Sequence, residues 1–157
     1  MTGNGRASGR RQPQLVALLC EWEWACCGEP FGVGDRVTLS VSEDLSELTE
    51  EFRNDPLAAA VDVHESHHGP ELPRLTATGT VAAIAMLVDQ YRRPAAGRMA
   101  RPIGSRCQPV ETVDPDQFSY LYKEPQRLDP DDTTTIEEQA GGWLVTLTDV
   151  MLADRTD

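Results

Sequence analysis

The stretch TATGTVAAIAMLVDQY, residues 76–91, decides the fold. Its centre, VAAIAMLV, is apolar enough to be either a buried helix or a buried strand, and periodicity alone does not separate the two. The β-branched Thr76, Thr78, Thr80 and Val81, the apolar run and Gly79 favour a strand, with a buried helix as the competing reading. The segment reads as a long strand with a bulge or bend at Gly79.

Strand patterns lie on both sides of it. Upstream, RVTLSV at 36–41 alternates Val37, Leu39 and Val41 with polar residues, as a half-buried strand does. Further upstream, QLVALLCEWEW at 14–24 is a strand whose second half sets Cys20, Trp22 and Trp24 against Glu21 and Glu23. Downstream, GWLVTLT at 142–148 and FSYLY at 118–122 are strands. Two short helices are expected between residues 43 and 70. One spans DLSELTEEFR at 44–53, with Asp44 and Glu47 as a capping box. The other opens at Asn54-Asp55-Pro56, runs toward His64 and stops by Gly69-Pro70. Residues 92–112 carry Pro94, Pro102 and Pro109 and read as a long loop.

The pieces add up to a mostly β (α+β) protein. The expected form is a small bent sheet or partly open barrel of four or five strands with one or two inserted helices. The openings VGDRV at 33–37 and TGTVAAI at 78–84 look like those of SH3-like barrels. A tail over 1–12, rich in Gly and Arg, precedes a single globular domain over 13–152. The length of 157 residues suits one domain.

The net charge of −12 opposes general binding to nucleic acid or anionic membranes, and no apolar run reaches the length of a membrane span. Charge is unevenly spread. Residues 92–106 hold five arginines and no acid, whereas 43–71 and 111–138 net −8 and −7. The arginine segment reads as lying across these acidic neighbours. Cys20, Cys26, Cys27 and Cys107 lack the spacing of a secreted disulfide scaffold and read as reduced thiols of a cytosolic protein. Arg10 and Arg11 before a six-residue apolar run mimic a signal sequence, but the run is too short and Glu21 and Glu23 follow it.

Several residues carry chemical potential. Thiolate and imidazole are the ligands zinc prefers, and zinc is the one cofactor this chain suits. The ligand set is Cys26, Cys27, His64, His67 and His68, with Cys20 able to join from the strand. Adjacent residues rarely serve one ion, so one of each pair is expected to ligate. The bland alternative is small core cysteines and surface histidines. A second candidate is His64-Glu65-Ser66-His67-His68, a literal H-E-x-x-H. On a helix, His64 and His68 would share an ion and Glu65 would be the general base of a zinc hydrolase. Its third ligand would come from Glu111, Glu137, Glu138 or Cys107. Against it stand Asp62 in the apolar flank and Gly69-Pro70 directly after His68. A third candidate is a thiol enzyme pairing Cys27 with His67 or His68. Trp22, Trp24 and Trp143 read as core. A binding module for a protein or small molecule is the leading expectation, an enzyme the opposing one, and the oligomeric state stays open.

Trp22, the run Cys26-Cys27-Gly28-Glu29-Pro30-Phe31-Gly32-Val33-Gly34-Asp35-Arg36-Val37, His67-His68-Gly69, Thr78-Gly79-Thr80-Val81 and Trp143-Leu144-Val145 belong together. With them the chain resembles a family of small actinobacterial proteins of unknown function over roughly residues 15–150. Members pair a Cys-Cys-Gly-x-Pro-Phe segment with a later His-His-Gly segment. Where members often have a Cys-Arg-Tyr-like run, this chain has Asp89-Gln90-Tyr91-Arg92. The resemblance implies no activity; it marks the residues to inspect.

Overall fold

A computed structural model describes residues 9–20, 28–48, 50–53, 55–66, 74–94, 100–114, 126–127 and 135–154. The strands are β1 (Arg10–Cys20), β2 (Phe31–Gly32), β3 (Arg36–Ser42), β4 (Val63–Glu65), β5 (Leu75–Arg93), β6 (Arg101–Val110), β7 (Thr112–Val113), β8 (Gln126–Arg127) and β9 (Thr135–Asp154). Seven of them form one sheet in the order β6-β5-β3-β4-β1-β9-β8. Because β5 also pairs with β9, the strands β5, β3, β4, β1 and β9 close into a ring. The mostly β expectation holds, and residues 76–91 are strand throughout.

The ring is strongly staggered. Leu75 pairs with Val41; the next residue, Ser42, pairs with His64, His64 with Leu18, Leu18 with Leu144, and Leu144 with Ala85. One circuit therefore returns to β5 about ten residues along, the stagger that closure of a sheet demands. This explains the length of β5 and β9. Their lower halves belong to the ring. The upper halves run on past the end of β1 as an extension, flanked by β6 on one side and β8 on the other.

Three bulges let these strands curve and keep their apolar residues inside. Inward residues on a regular strand are two apart. Here Val81 and Ile84, Leu147 and Val150, and Ala140 and Trp143 are three apart, yet all belong to or pack against the inner core. At each place the β5–β9 register slips by one residue. The slip opposite Gly79 holds Asp149 at φ 51, the one described non-glycine residue with positive φ. The bend expected at Gly79 is thus a bulge in its partner strand, and a Cβ at Gly79 would sit 3.0 Å from the Thr148 carbonyl. Trp143, wholly buried, anchors the core, as expected of it; Trp22 and Trp24 lie outside the described residues.

β3 is launched by a tight turn. Asp35 N donates to the Gly32 carbonyl, the Asp35 carboxylate accepts from Gly32 N at 2.8 Å, and Gly34 takes φ +94. That φ belongs to the third position of a type II turn, which only glycine enters freely. Gly34 and Asp35 then bond to Val81, which fills the stretch of β5 between β3 and β6.

Four expectations change. Residues 10–12, assigned to a tail, begin β1 and pair with 150–152 of β9. The loop over 92–112 contains β6; prolines concealed it. Pro102 and Pro109 are tolerated because β6 is an edge strand, where a missing N–H breaks no ladder. In place of the two expected helices stand three short turns, Leu45–Glu47, Glu50–Arg53 and Pro56–Ala60. Asp44 does cap the first and Asp55 the third, each accepting from the backbone N–H two residues on. Lastly, the run toward His64 is extended: Val63, His64 and Glu65 are β4. Residues 118–122, read as a strand, lie outside the described residues.

Candidate functional site

β4 is three residues long and still joins β1 to β3, so its ends must be pinned. At its start, Asp62 accepts from Val16 N through its carboxylate at 2.8 Å and donates its own N–H to the Val16 carbonyl at 2.9 Å. Asp62, read as a flaw in a catalytic helix, is the clasp of a parallel strand pair. Past its end, Ser66 N donates to the Ser40 carbonyl and Ser40 Oγ donates to the Ser66 carbonyl. The pairing with β1 is parallel, Ala17 beside Val63 and Leu18 beside His64. Two parallel neighbours end at the same edge. The described chain breaks off after Cys20 beyond β1 and after Ser66 beyond β4, so these two described ends lie at one edge of the ring.

Alternation sorts the described candidates by face. Ala17, Leu19 and Val63 belong to the inner core, so Leu18, Cys20 and His64 face outward and Glu65 inward. Cys20 packs with Leu18, Leu87, Leu144 and Val61 in a second apolar cluster under the helical turns, alongside Leu45, Leu48 and Leu57. His64 is buried on that outer face. Its Nε2 lies 2.9 Å from the Asp44 carbonyl and its Nδ1 3.3 Å from the Glu65 carbonyl. The Asp44 carbonyl can only accept, so Nε2 donates to it and is not free for a metal. His64 therefore ties the inserted turns to β4. Hydrogen bonds from Ser46, side chain first and then backbone, hold the Asp44 carboxyl below its ordinary range, and the nearby His64 lowers it further.

The H-E-x-x-H expectation fails on this geometry. Strand backbone sends His64 and Glu65 to opposite faces, whereas the hydrolase arrangement needs a helix that sets His64 and His68 on one side. Extended backbone wins because Val61 and Val63 are β-branched and β4 is pinned at both ends. Glu65 is buried inside the ring beside Val41.

Cys26, Cys27, His67 and His68 lie outside the described residues. Among the described residues, no three His, Cys, Asp or Glu side chains form a group able to hold a metal ion. Cys107 pairs with Leu87 on the outer face of the extension, three strands from Cys20 along the row Cys20, Gly142, Leu87, Cys107. Burial, and secondarily Asp55, push the Cys107 thiol up, which makes it a poor nucleophile. Of the carboxylates considered as third ligands, Glu137 pairs with Arg93 at 2.7 Å and Glu138 with Arg106 at 2.9 Å.

Sequence reasoning missed the carboxyl of Asp89. It stands on the outer face of the extension over Gly141, where any Cβ would collide with it, and accepts from Ser105 Oγ at 2.9 Å. Burial raises its pKa, the Ser105 bond partly offsets this, and Asp55 adds to the rise. The Gly141-Gly142 pair could have signalled a crowded neighbour.

No helix among the described residues is long and apolar enough to cross a membrane. No curated protein and no solved structure matches the chain. A family model does match, over residues 15–149, a span that takes in the ring strands except the first residues of β1 and the last five of β9, and both the Cys-Cys-Gly and His-His-Gly segments. The chain belongs to that family, a family of unknown function, DUF6578.

Proposed function

We propose that the protein is a cytosolic binding module whose working end is the edge where β1 and β4 finish, with a zinc ion joining the two segments that leave there. The ligands are drawn from Cys26, Cys27, His67 and His68, one or both of each pair, with Cys20 the nearest reserve. One observation carries the reading: the parallel pairing of Ala17 with Val63 and Leu18 with His64. His67 follows Ser66 directly. Cys26 is six residues past Cys20, within a reach of at most about 20 Å of extended chain. Thiolate and imidazole make a closed, structural site, which would stiffen both segments as a binding surface. The hydrogen bond from His64 to the Asp44 carbonyl disfavours a hydrolase, because it takes up Nε2.

The test is zinc content of the purified, zinc-supplemented protein. The expected result is one equivalent, lost in Cys26→Ser/Cys27→Ser and in His67→Ala/His68→Ala and kept in His64→Gln, which retains an N–H for Asp44. Zinc that survives the cysteine changes and disappears with His64→Gln overturns the reading in favour of a hydrolase. No bound zinc overturns it too; a Cys27 thiol titrating well below 8.5 would then point to thiol chemistry.

A further inference from the structure

Arg92 and Arg101 sit directly opposite each other near the tip of the β5–β6 hairpin. Both are exposed, and among the described residues neither has an ion-pair partner. The other described arginines of this segment are engaged: Arg93 with Glu137, and Arg106 with Glu138 through two nitrogens. The intramolecular neutralisation expected of the arginine segment thus reaches Arg93 and Arg106 but, among the described residues, not Arg92 or Arg101. Facing like charges on an antiparallel pair are destabilising, with Cβ atoms about 4.5–5.5 Å apart. One glutamate in place of either arginine would remove that cost, so the pair is arranged for an anion from outside.

We propose that this tip binds an acidic segment of a partner protein, Arg92 and Arg101 gripping its carboxylates and Ile103 taking a neighbouring apolar side chain. Ile103, two residues along β6 from Arg101, is 51% exposed and is one of two large hydrophobic residues so placed among those described. It sits at the register slip between β5 and β6. Carboxylates two residues apart on an extended peptide are about 6.6–6.8 Å apart, a span two guanidinium groups cover. A nucleic acid fits less well. The net charge of −12 repels a long polyphosphate, while a short acidic segment meets only the local field. Pro102 and Pro109 withhold two N–H groups from the outer edge of β6, so recognition runs through side chains more than through an added strand.

The experiment uses the full chain and a short labelled peptide of glutamates interspersed with leucine, read by fluorescence anisotropy. Wild type should bind it, lose it as salt rises, and ignore the matching glutamine peptide. Arg92→Glu/Arg101→Glu should weaken binding by about ten-fold or more. The single variant Arg92→Glu should also lose affinity yet melt at or above wild type, because it makes an opposite-charge pair with Arg101; that separates lost binding from lost folding. Four results overturn the proposal: equal binding by the charge-reversed chain, no binding by wild type, tighter binding of single-stranded DNA of matched charge, or a dimer that the charge reversal dissolves.

Discussion

At the scale of single residues, the tightest constraint is at Gly142. Its φ is +151, and a Cβ there would run into the Leu19 carbonyl of the paired strand. Gly34 also has positive φ, +94, but nothing lies within 4 Å of its Cβ position. Gly34→Ala therefore carries the backbone cost alone, about 1–2 kcal/mol. Gly142→Ala adds a clash that pushes β1 off β9 and should cost clearly more. Urea unfolding of the two variants measures the difference. Asp89 makes a second case. A carboxyl whose pKa is raised by folding holds its proton more tightly in the folded state. Stability is therefore lost as pH climbs from the ordinary value of 3.8 through the raised one, and the penalty is complete above it. Asp89→Asn keeps an oxygen for Ser105 and removes the charge. It should raise the melting temperature at pH 7 and lose that advantage toward pH 3. Neither residue's role was legible in the sequence, since both depend on a neighbour dozens of positions away. Gly79 was legible as a bend, though not the fact that the bulge sits across from it at Asp149.

At the scale of elements, regular alternation was the readable signal and its interruptions were not. Val37, Leu39 and Val41 name β3 at once. Val81 and Ile84 have a helix-like spacing of three, because a bulge takes up the extra residue. The edge strand β6 was hidden by Pro102 and Pro109, residues that only an edge admits. β4 was hidden by its length: three residues carry no period. It is held by Asp62, Ser66 and the His64 bond to Asp44, none of them hydrophobic signals. His64→Ala should destabilise the fold by about 0.5–1.5 kcal/mol, since the hydrogen bond to the Asp44 carbonyl is lost. Amide exchange in the turns over residues 45–60 should quicken before that in β5 and β9, because those turns hang on that bond and on the outer apolar cluster.

At the scale of the whole molecule, the pairing that matters most is the one joining the first strand to a short strand some forty residues later. The sequence beyond Cys20 carries the paired thiols and the sequence beyond Ser66 the paired imidazoles. Their residue types were readable from the chain. The pairing that ends β1 and β4 at one edge was not, because parallel pairing is a property of topology. The most direct measurement is a zinc K-edge X-ray absorption spectrum of the full-length protein. The account predicts a mixed shell, sulfur at about 2.3 Å and nitrogen at about 2.0–2.1 Å, with the sulfur component gone in Cys26→Ser/Cys27→Ser. A shell of nitrogen and oxygen alone would contradict it.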